Sequence, residues 1–319
     1  MTVLVTGGAG FVGLNILETL AARGQRAVCF DRRAVPASVS ALFAPGQLIE
    51  VVGDVSDATL LRQSMTQNGV TAVIHAAAIT AGVDREREAA AQVVSVNLVG
   101  LTHCLEAARA SGVERFVFAS SVSVFGTGIV DGALIEEDHP LAPVTLYAIT
   151  KASGEAIVRR FAQVSGLPCI IGRLGVVFGR HEADTGVRDT MSPFFHALHR
   201  ARRGESLVLP RPARRNWQYG AHAGEALATL AIASNPQHQV YNLGPEPVFT
   251  VLQWCDRLKA RFPAFSVTVD PAAPGAPIGL HNPSDGGLLS WQRYQAEFGP
   301  AGNWDLERAF DDYMAFLDR

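Results

Sequence analysis

The stretch Thr6-Gly7-Gly8-Ala9-Gly10-Phe11-Val12-Gly13 decides how the first part of the chain folds. It follows Thr2-Val3-Leu4-Val5, a β-branched run that is typical of a buried strand. An apolar stripe at helical spacing follows it and runs to Leu20, and Gly24 is placed to end that helix. Strand, tight glycine turn and helix in this order predict a dinucleotide-binding turn.

Each glycine of this stretch has a physical role in such a turn. Gly7 allows the tight turn, Gly10 lets the backbone approach a pyrophosphate, and Gly13 lets the helix lie close to the strand. The helix N-terminus offers free N–H groups and a partial positive charge to the phosphates. The alternative is a purely structural turn, because three glycines in seven residues also occur in ordinary loops.

A second strand strengthens the dinucleotide interpretation. Arg26-Ala27-Val28-Cys29-Phe30 ends in Asp31, where an acidic residue would accept the hydroxyls of the adenosine ribose. A carboxylate there repels the 2′-phosphate of NADP, whereas Arg32 and Arg33 follow at once and could offset that repulsion. We therefore expect NAD, with NADP as the alternative.

Bulk composition excludes several classes of protein. The chain has 319 residues, enough for one large α/β domain or two modest ones, and its net charge of −3 gives no electrostatic case for nucleic acid. Apolar runs stay below the ~18 residues of a membrane span, and because the first predicted strand begins at residue 2 we expect no signal peptide. The four cysteines lack paired spacing. We expect a cytoplasmic protein that contacts neither membrane nor nucleic acid.

Strands and helices alternate through the first half, which predicts an α/β fold with a doubly wound, Rossmann-type parallel sheet. Ligands of such sheets bind beyond the carboxyl ends of the strands, where Asp31, His75 and Ser121 fall. Apolar spacing also predicts two long helices, over residues 89–110 and 146–164. The predicted strands after the first two are Leu48–Val52, Ala72–Ile74, Arg115–Ala119 and Cys169–Ile171.

The second half has a different character. Six arginines lie between Arg200 and Arg215, and residues 271–287 are rich in proline and glycine. Val240–Gly244 is typical of a strand that returns to a sheet. We predict a dinucleotide-binding domain over residues 1–173 with a returning segment near 215–245, and a smaller substrate-binding lobe within 174–319.

The pair Tyr147 and Lys151 suggests the chemistry. Four residues apart on a helix, their side chains share one face. A free tyrosine, with a pKa of about 10, is a poor base at neutral pH, but a neighbouring ammonium would lower that pKa and make Tyr147 a usable general acid/base. Ser121, at a neighbouring strand end, would donate a hydrogen bond to the reacting oxygen. The alternative is that both residues simply lie on a helix surface.

Together these motifs resemble the extended short-chain dehydrogenases/reductases, in the branch of NAD-dependent epimerases and dehydratases that act on sugars. The resemblance covers nearly the whole chain and is specific for fold and cofactor class, but weak for substrate. Beyond the glycine stretch it rests on Gly53-Asp54-Val55, Ile74-His75-Ala76-Ala77-Ala78, Asn97-Leu98-Val99-Gly100, Ser120-Ser121-Val122-Ser123-Val124-Phe125-Gly126, Tyr147-x-x-x-Lys151, Arg173-Leu174-Gly175-Val176-Val177-Phe178-Gly179, Arg215-Asn216-Trp217 and Tyr241-Asn242-Leu243-Gly244.

The resemblance implies roles for individual residues. Ser121, Tyr147 and Lys151 would be catalytic, and Ser121, Ser123, Tyr147 and Arg215 would contact substrate. Asn97 would face the cleft, although a packing role inside its helix is an equal alternative. The cofactor would be held by Gly7, Gly10, Phe11, Val12, Gly13, Asp31, Arg32, Asp54, Val55, Ala76, Ala77, Ala78, Asn97, Tyr147 and Lys151.

Departures from the family pattern concern the substrate. Val122-Ser123 replaces the Asp-Glu pair of the sugar 4,6-dehydratases, which disfavours dehydration. Gly175 stands where many nucleotide-sugar enzymes carry a substrate-contacting asparagine, and residues 218–222 lack the usual acidic side chains. Arg215 still favours an anionic carbohydrate, because arginine binds carboxylate or phosphate in a bidentate manner, although the arginine cluster could be only a solvated face. His196 and His199 lack a third metal ligand, so we expect no metal.

We therefore expect an NAD-dependent oxidoreductase that acts on a sugar-like hydroxyl. A dehydrogenase of a sugar or sugar acid is favoured, because Gly175 removes a contact to a nucleotide sugar. The alternatives are a nucleotide-sugar epimerase and, from another class, a non-catalytic NAD(P)-binding sensor, which could dispense with Tyr147 and Lys151. The two long helices carry small or apolar stripes, which the family often pairs in a dimer, so we also expect a homodimer.

Overall fold

A seven-stranded parallel sheet forms the centre of the computed structural model, which describes residues 1–126, 132–244, 248–281 and 284–318. Its strand order is β12-β7-β5-β4-β1-β2-β3, so the chain runs outward from β1 in both directions. Every strand pair in this sheet is parallel. The predicted Rossmann-type, doubly wound α/β fold is therefore confirmed.

The secondary structure follows the sequence pattern closely in the first half. The strands are β1 (Thr2–Thr6), β2 (Arg26–Asp31), β3 (Leu48–Val52), β4 (Ala72–His75), β5 (Arg115–Ser121), β6 (Leu134–Ile135), β7 (Cys169–Leu174), β8 (Val176–Phe178), β9 (Ser206–Leu209), β10 (Arg214–Arg215), β11 (Trp217–Tyr219), β12 (Val240–Leu243), β13 (Phe249–Thr250), β14 (Ser266–Val269) and β15 (Leu288–Leu289). The α-helices are α1 (Phe11–Ala22), α2 (Ala37–Ser40), α3 (Ala58–Gln67), α4 (Val83–Glu88), α5 (Ala90–Val94), α6 (Gly100–Ala110), α7 (Leu146–Ser165), α8 (Pro193–Arg203), α9 (Gly220–Ile232), α10 (Val251–Arg261), α11 (Gln292–Phe298) and α12 (Leu306–Leu317).

The parallel register brings the polar strand ends to one edge of the sheet. Thr6 lies beside His75, because β1 and β4 pair with these residues as partners. On the other side β1 pairs with β2, which ends in Asp31. Ser121 closes β5 beside Leu174 at the end of β7. This edge is where the predicted ligand site should lie.

The predicted helix over residues 89–110 is helical but not one regular α-helix. Residues Ser95–Val99 form a π-helical segment between α5 and α6. A π segment widens the helix by one residue per turn and is frequent at functional sites. Here it contains Asn97, whose side-chain amide forms hydrogen bonds with the backbone of Ile79, in the loop after β4. By contrast, the predicted helix over 146–164 is confirmed as the unbroken α7.

Residues beyond β7 build a second hydrophobic core. The rings of Phe178 and Phe194 stack with centroids 3.9 Å apart, and Trp254 packs edge-on against both. The strand that contains Val240 returns to the central sheet as β12 and pairs with β7, as predicted. The sequence pattern missed the short strands β8 to β11, because each has only two to four residues. The domain boundary at residue 173 stays a prediction.

Within the described residues, no helix combines the length and apolar character that a membrane crossing requires.

Candidate active site

A cleft of about 860 Å³ opens at the carboxyl edge of the central sheet. It contains nearly all the residues that the sequence indicated as cofactor- or substrate-binding, brought together from six separate segments. The strands end at this edge, and the loops that follow them carry the polar groups that a ligand can contact. The predicted site residues that line it are Gly7, Gly10, Phe11, Val12, Gly13, Asp31, Arg32, Asp54, Val55, Ala76, Ala77, Ala78, Ser121, Ser123, Tyr147 and Lys151.

The glycine turn has the predicted geometry. Gly7 adopts φ +68°, a left-handed conformation that favours glycine. A Cβ on Gly7 would lie 2.8 Å from the Cα of Ala77, so the first and fourth strands approach each other closely there. A Cβ on Gly13 would lie 2.0 Å from the carbonyl oxygen of Gly7, which shows how tightly α1 packs against the turn. Leu14 donates its N–H to Gly10 at 2.8 Å, as the helix begins.

We predict that Gly13→Ala abolishes dinucleotide binding. The added methyl would overlap the Gly7 carbonyl and push α1 away from β1, which displaces the N–H groups that face the phosphates. Isothermal titration with NAD measures the loss. Gly24→Ala is the control, because a Cβ there has nothing within 4 Å and its φ of +62° costs only stability, about 1 kcal/mol. Undiminished NAD binding by Gly13→Ala would contradict the assignment.

Asp31 is held in place for a dinucleotide ribose. Its Oδ2 accepts a hydrogen bond from the N–H of Ala9 at 3.1 Å, and its Oδ1 accepts from the N–H of Arg33 at 3.0 Å. The guanidinium of Arg33 in turn donates to the carbonyl of Ala9 at 3.0 Å. The carboxylate is therefore fixed at the cleft wall, where it fits the two ribose hydroxyls of NAD and repels an added phosphate.

Tyr147 and Ser121 meet on the floor of the cleft. Tyr147 lies in the first turn of α7, which Thr145 caps by accepting a hydrogen bond from the N–H of Ala148 at 3.2 Å. Hydrogen bonds with Ser121 and Thr80 reach the Tyr147 hydroxyl, and the positive charge of Arg188 acts on it as well. These three influences lower the pKa of Tyr147, but burial outweighs them and raises it above its ordinary value.

The sequence predicted that Lys151 lowers the pKa of Tyr147. This prediction is wrong for the chain by itself, because the pKa of Tyr147 is raised. The Lys151 ammonium lies 5.8 Å from the centre of the Tyr147 ring and donates to the carbonyl of Ala119 at 2.7 Å. Its own pKa falls to about 8, because burial penalises the charged form more than the nearby Glu155 favours it. Lys151 is 4% exposed. The sequence could not reveal how completely the Lys151 side chain loses water.

We predict that Lys151→Met raises the free energy of unfolding at pH 7, by about 1–2 kcal/mol. The folded pKa is lowered from 10.5 to about 8, so the unfolded chain binds more protons between these values. The folded chain is therefore penalised below pH 8, and the penalty fades as the pH rises towards 10.5. Urea unfolding at pH 7 and pH 10 measures the gain and its decrease.

Lys259→Met is the matched control for that prediction. Lys259 lies at the surface of α10 and pairs with Asp256 at 3.1 Å, an exposed i,i+3 contact of little energetic value. A pH-independent change for Lys151→Met, or an equal change for Lys259→Met, would contradict the buried-charge argument. The expected result would show that the buried charge of Lys151 lowers the free energy of unfolding while it serves the site.

A buried ionic network supports α7 behind the site. Glu155 accepts from the Nε and Nη2 of Arg173 at 2.8 and 2.7 Å, and from the hydroxyl of Ser120 at 2.7 Å. Both charged side chains are 1% exposed. Arg173 also donates to the carbonyl of Glu137 at 2.7 Å. The network joins α7 to β5 and β7, the two strands whose ends form this part of the cleft.

Asn97 makes its hydrogen bonds within the protein, and its role as a cofactor ligand stays a prediction. Its Oδ1 accepts from the N–H of Ile79 at 2.8 Å, and its Nδ2 donates to the carbonyl of Ile79 and the hydroxyl of Thr150, both at 3.0 Å. These contacts use the amide oxygen and both amide hydrogens. Asn97 therefore holds the loop after β4 against α7, the packing role that the sequence left open, and it is absent from the described residues that line the cleft.

Arg215 is likewise absent from the described lining of the cleft. Its guanidinium donates to the carbonyl of Ser284 at 3.0 Å and lies 5.7 Å from the centre of the Trp217 ring. The arginine that lines the cleft beside Tyr147 is Arg188, which sequence reasoning missed. Arg188 is in a stretch without regular periodicity, so only its fold-dependent placement reveals it. The contact of Arg215 with substrate therefore stays a prediction.

The neighbourhood of Gly175 explains why that position has no side chain. Gly175 donates its N–H to the Oε1 of Gln218 at 2.8 Å, and the Gln218 amide contacts the Nδ1 of His222 at 3.0 Å. A Cβ on Gly175 would lie 3.1 Å from the carbonyl oxygen of Asn216. Gln218 and His222 are buried, and burial lowers the pKa of His222 to about 4. The segment 218–222, which departs from the family pattern, therefore packs against Gly175 at this wall of the cleft.

The chain is similar to characterised sugar-modifying enzymes. It is 28% identical to the dTDP-D-glucose 4,6-dehydratase of Mus musculus over 80% of this chain and 71% of that protein. It is 33% identical to UDP-glucuronate 4-epimerase 4 of Arabidopsis thaliana over 56% of this chain. The matched region covers 42% of that longer protein. In structure it is similar to the Thermus thermophilus UDP-glucose 4-epimerase in complex with NAD, with a TM-score of 0.78, 27% identity and 99% of both chains covered.

The family assignment rests on a match that extends beyond the glycine turn. Residues 3–244 match the sequence profile of the NAD dependent epimerase/dehydratase family, a range that begins in β1 and ends after β12. It contains the whole central sheet, the glycine turn and the serine, tyrosine and lysine of the cleft. The chain therefore belongs to the NAD-dependent epimerase/dehydratase family.

Proposed function

We propose that this protein uses bound NAD to oxidise one hydroxyl of a nucleotide-linked sugar and returns the hydride to the opposite face of the same carbon. The observation that carries the proposal is the meeting of Tyr147 and Ser121 in the same cleft as the glycine turn. Bound NAD supplies the hydride acceptor. The residues of the chain transfer the proton and position the substrate.

Each residue of the trio has one task in this proposal. The Tyr147 oxygen takes the hydroxyl proton as the hydride leaves, and returns it in the reverse step. Ser121 donates a hydrogen bond to the oxygen that becomes a carbonyl. Lys151 donates to the carbonyl of Ala119 and holds its ammonium 5.8 Å from the centre of the Tyr147 ring, where it would bind the nicotinamide ribose.

Dehydration is disfavoured by the residues after Ser121. Val122 has no titratable group, and Ser123 provides a hydroxyl with an ordinary pKa far above neutral. Ser123 lines the cleft, and its buried Oγ has no hydrogen-bond partner among the described residues. A substrate hydroxyl or ring oxygen would satisfy it. Ser123 therefore suits substrate binding, not proton transfer at carbon.

Arg188 favours an anionic substituent on the sugar. It faces Tyr147, and its Nη1 lies 3.3 Å from the buried carboxylate of Glu182, which also accepts from the N–H of Ser192 at 2.7 Å. Glu182 offsets part of the arginine charge, so a neutral sugar is also accommodated. The Nε and Nη2 of Arg188 donate to the carbonyls of Thr190 and Val177 at 2.9 and 3.3 Å, so a uronate would gain its charge-assisted hydrogen bond from a remaining Nη hydrogen.

The second candidate is a dehydrogenase that acts on a free sugar or sugar acid and releases NADH. The glycine at position 175 favours it, because no side chain there can hold a nucleotide-linked sugar. A non-catalytic sensor is a weaker candidate, since it would have no use for a tyrosine in the cleft beside a buried lysine. We place epimerisation ahead of the dehydrogenase that the sequence favoured, because the similar proteins include UDP-glucuronate and UDP-glucose 4-epimerases.

One assay separates the candidates. The NAD-loaded protein is incubated with nucleotide sugars, free sugars and sugar acids, while nicotinamide absorbance and product composition are followed. Epimerisation predicts interconversion of a nucleotide sugar without net NADH. Accumulation of NADH with a non-nucleotide substrate would establish the dehydrogenase instead. Binding of NAD with no turnover across the panel would favour the sensor.

We also propose a homodimer through α5, the π-helical segment and α7. Val94, Val99 and Ile149 on these elements are 37%, 44% and 44% exposed, which is high for apolar side chains on long helices. Ala148 belongs to the intramolecular core at 1% exposure, so the contact would use this valine and isoleucine face. Light scattering at micromolar concentration tests it, and a monomeric mass would overturn it.

A further inference from the structure

A short segment bridges the two walls of the cofactor groove. The first wall is the glycine turn with Phe11, and the second is the loop after β4, residues 76–82. Residues 186–190, here called the strap, contact both. The Arg188 guanidinium lies 5.3 Å from the centre of the Phe11 ring. Thr80 donates its N–H to Val187 at 2.9 Å and accepts from the N–H of Asp189 at 3.1 Å.

The contact between strap and second wall is locked by one ion pair, here called the clamp. The Nε of Arg85 donates to Asp189 Oδ2 at 2.8 Å, and its Nη2 donates to Asp189 Oδ1 at 2.7 Å. The same Nη2 donates to the carbonyl of Gly186 at 2.8 Å, and the N–H of Gly82 donates to Asp189 at 2.9 Å. Paired, bidentate geometry of this kind is stronger than an ordinary surface ion pair.

The clamp differs from other ion pairs of the same region. Arg85 and Asp189 are 24% and 23% exposed, whereas Arg87 and Asp84 on the same helix are 70% and 88% exposed. The hydrogen bond from Arg85 holds the pKa of Asp189 below its ordinary value, so the clamp stays charged across the neutral range. It joins residues 104 positions apart in the chain, and its loss would free the strap from the loop.

We propose that Arg85 and Asp189 are positioning residues that keep the strap closed over bound NAD and so set the rate at which the cofactor leaves. A dinucleotide that lies along the groove passes beneath the strap, because Phe11 and Thr80 belong to opposite walls. The inference rests on the proposed function for its consequence: an enzyme that returns the hydride to its substrate has no need to exchange NAD at each turnover.

The direct test measures the dissociation rate of NAD from the loaded full-length protein. Labelled NAD is bound, excess unlabelled NAD is added, and label retained on the protein is followed with time. We expect Asp189→Asn and Arg85→Ala each to release NAD about 10-fold faster or more, since each removes a charge-assisted contact. The double variant should release it no faster than either single variant, because one interaction is lost in all three.

Arg87→Ala is the matched control, since it breaks the exposed pair on the same helix and should leave the rate unchanged. Thermal unfolding of each loaded variant shows that the fold is retained. Unchanged release from both clamp variants would overturn the proposal, and so would equal acceleration by Arg87→Ala. These readouts require no substrate, so failure of the clamp and failure of the proposed reaction are distinguished.

A crosslink gives a second, independent test. A Cβ on Gly82 would lie 3.2 Å from the Cβ of Asp189, close to the roughly 3.5–4.5 Å that a disulfide spans. Gly82 has φ −89°, which any residue adopts, and the four native cysteines are buried. In Gly82→Cys/Asp189→Cys we expect slow NAD release when oxidised and fast release after reduction. Release that ignores the redox state of a formed crosslink would overturn the proposal.

Discussion

Tyr147→Phe is expected to lower turnover by about 10²–10⁴-fold while NAD remains bound, because the ring still packs and only the titrating hydroxyl is lost. The hydroxyl is the group that Ser121 and Thr80 contact and on which the charge of Arg188 acts. Tyr147 is the only tyrosine among the described residues that line the cleft. Turnover of an identified sugar is compared with NAD affinity measured by titration.

The pH dependence of the parent enzyme provides a second readout for the same residue. Burial raises the pKa of Tyr147, so the phenolate fraction in the free chain is small at neutral pH and grows as the pH rises. We therefore expect the oxidation step to accelerate with pH on the alkaline side of neutrality. Tyr147→Phe should lose this dependence. Near-full activity of Tyr147→Phe, or an unchanged pH profile, would show that another group carries the proton.

Glu155→Ala is expected to lower the free energy of unfolding by about 3–5 kcal/mol, the cost of leaving a buried charge without its partner. The Arg173 guanidinium would lose both of its carboxylate contacts in a site where it is 1% exposed. It would keep the Glu137 carbonyl and the face of the Phe125 ring, 4.9 Å away, neither of which carries a compensating charge. Urea unfolding followed by circular dichroism measures the loss.

Arg159→Ala is the control for that prediction. Arg159 contacts the same Glu155 carboxylate at 3.2 Å, but its side chain is 39% exposed. Its removal should cost less than about 1 kcal/mol, because water replaces the contact. Equal losses for the two variants would mean that Glu155 is held by the exposed partner and not by Arg173.

The cofactor half of the site was predictable because its signals are local. The turn from Gly7 to Gly13 needs its glycines for contacts made within ten residues, apart from the approach to Ala77, and Asp31 follows directly from the end of β2. Parallel pairing then places Asp31 and Ser121 at one edge whatever the loops contain. The placement of Tyr147 and Lys151 on one face of a helix follows from the same short-range patterns.

The substrate half was not predictable in the same way. Arg188 reaches the cleft because Thr80, more than a hundred residues earlier, pairs with the strap, and no local pattern indicates that contact. Arg215 has the family position but donates to Ser284 instead. Asn97 was ambiguous because a polar residue inside a helix pattern is equally suited to a cleft and to a buried backbone contact. The pKa of Tyr147 depends on burial by all these segments together.

The central claim is that hydride leaves a sugar carbon and returns to that same carbon on a cofactor that stays bound. The direct measurement uses the sugar that the panel assay identifies, deuterated at the carbon that is oxidised, with the NAD-loaded protein and excess unlabelled NAD in solution. Mass spectrometry then locates the deuterium. We predict an epimeric product that keeps its deuterium at the same carbon, with none in the dissolved nicotinamide. Deuterium found in free NADH, with an oxidised sugar as product, would contradict the account.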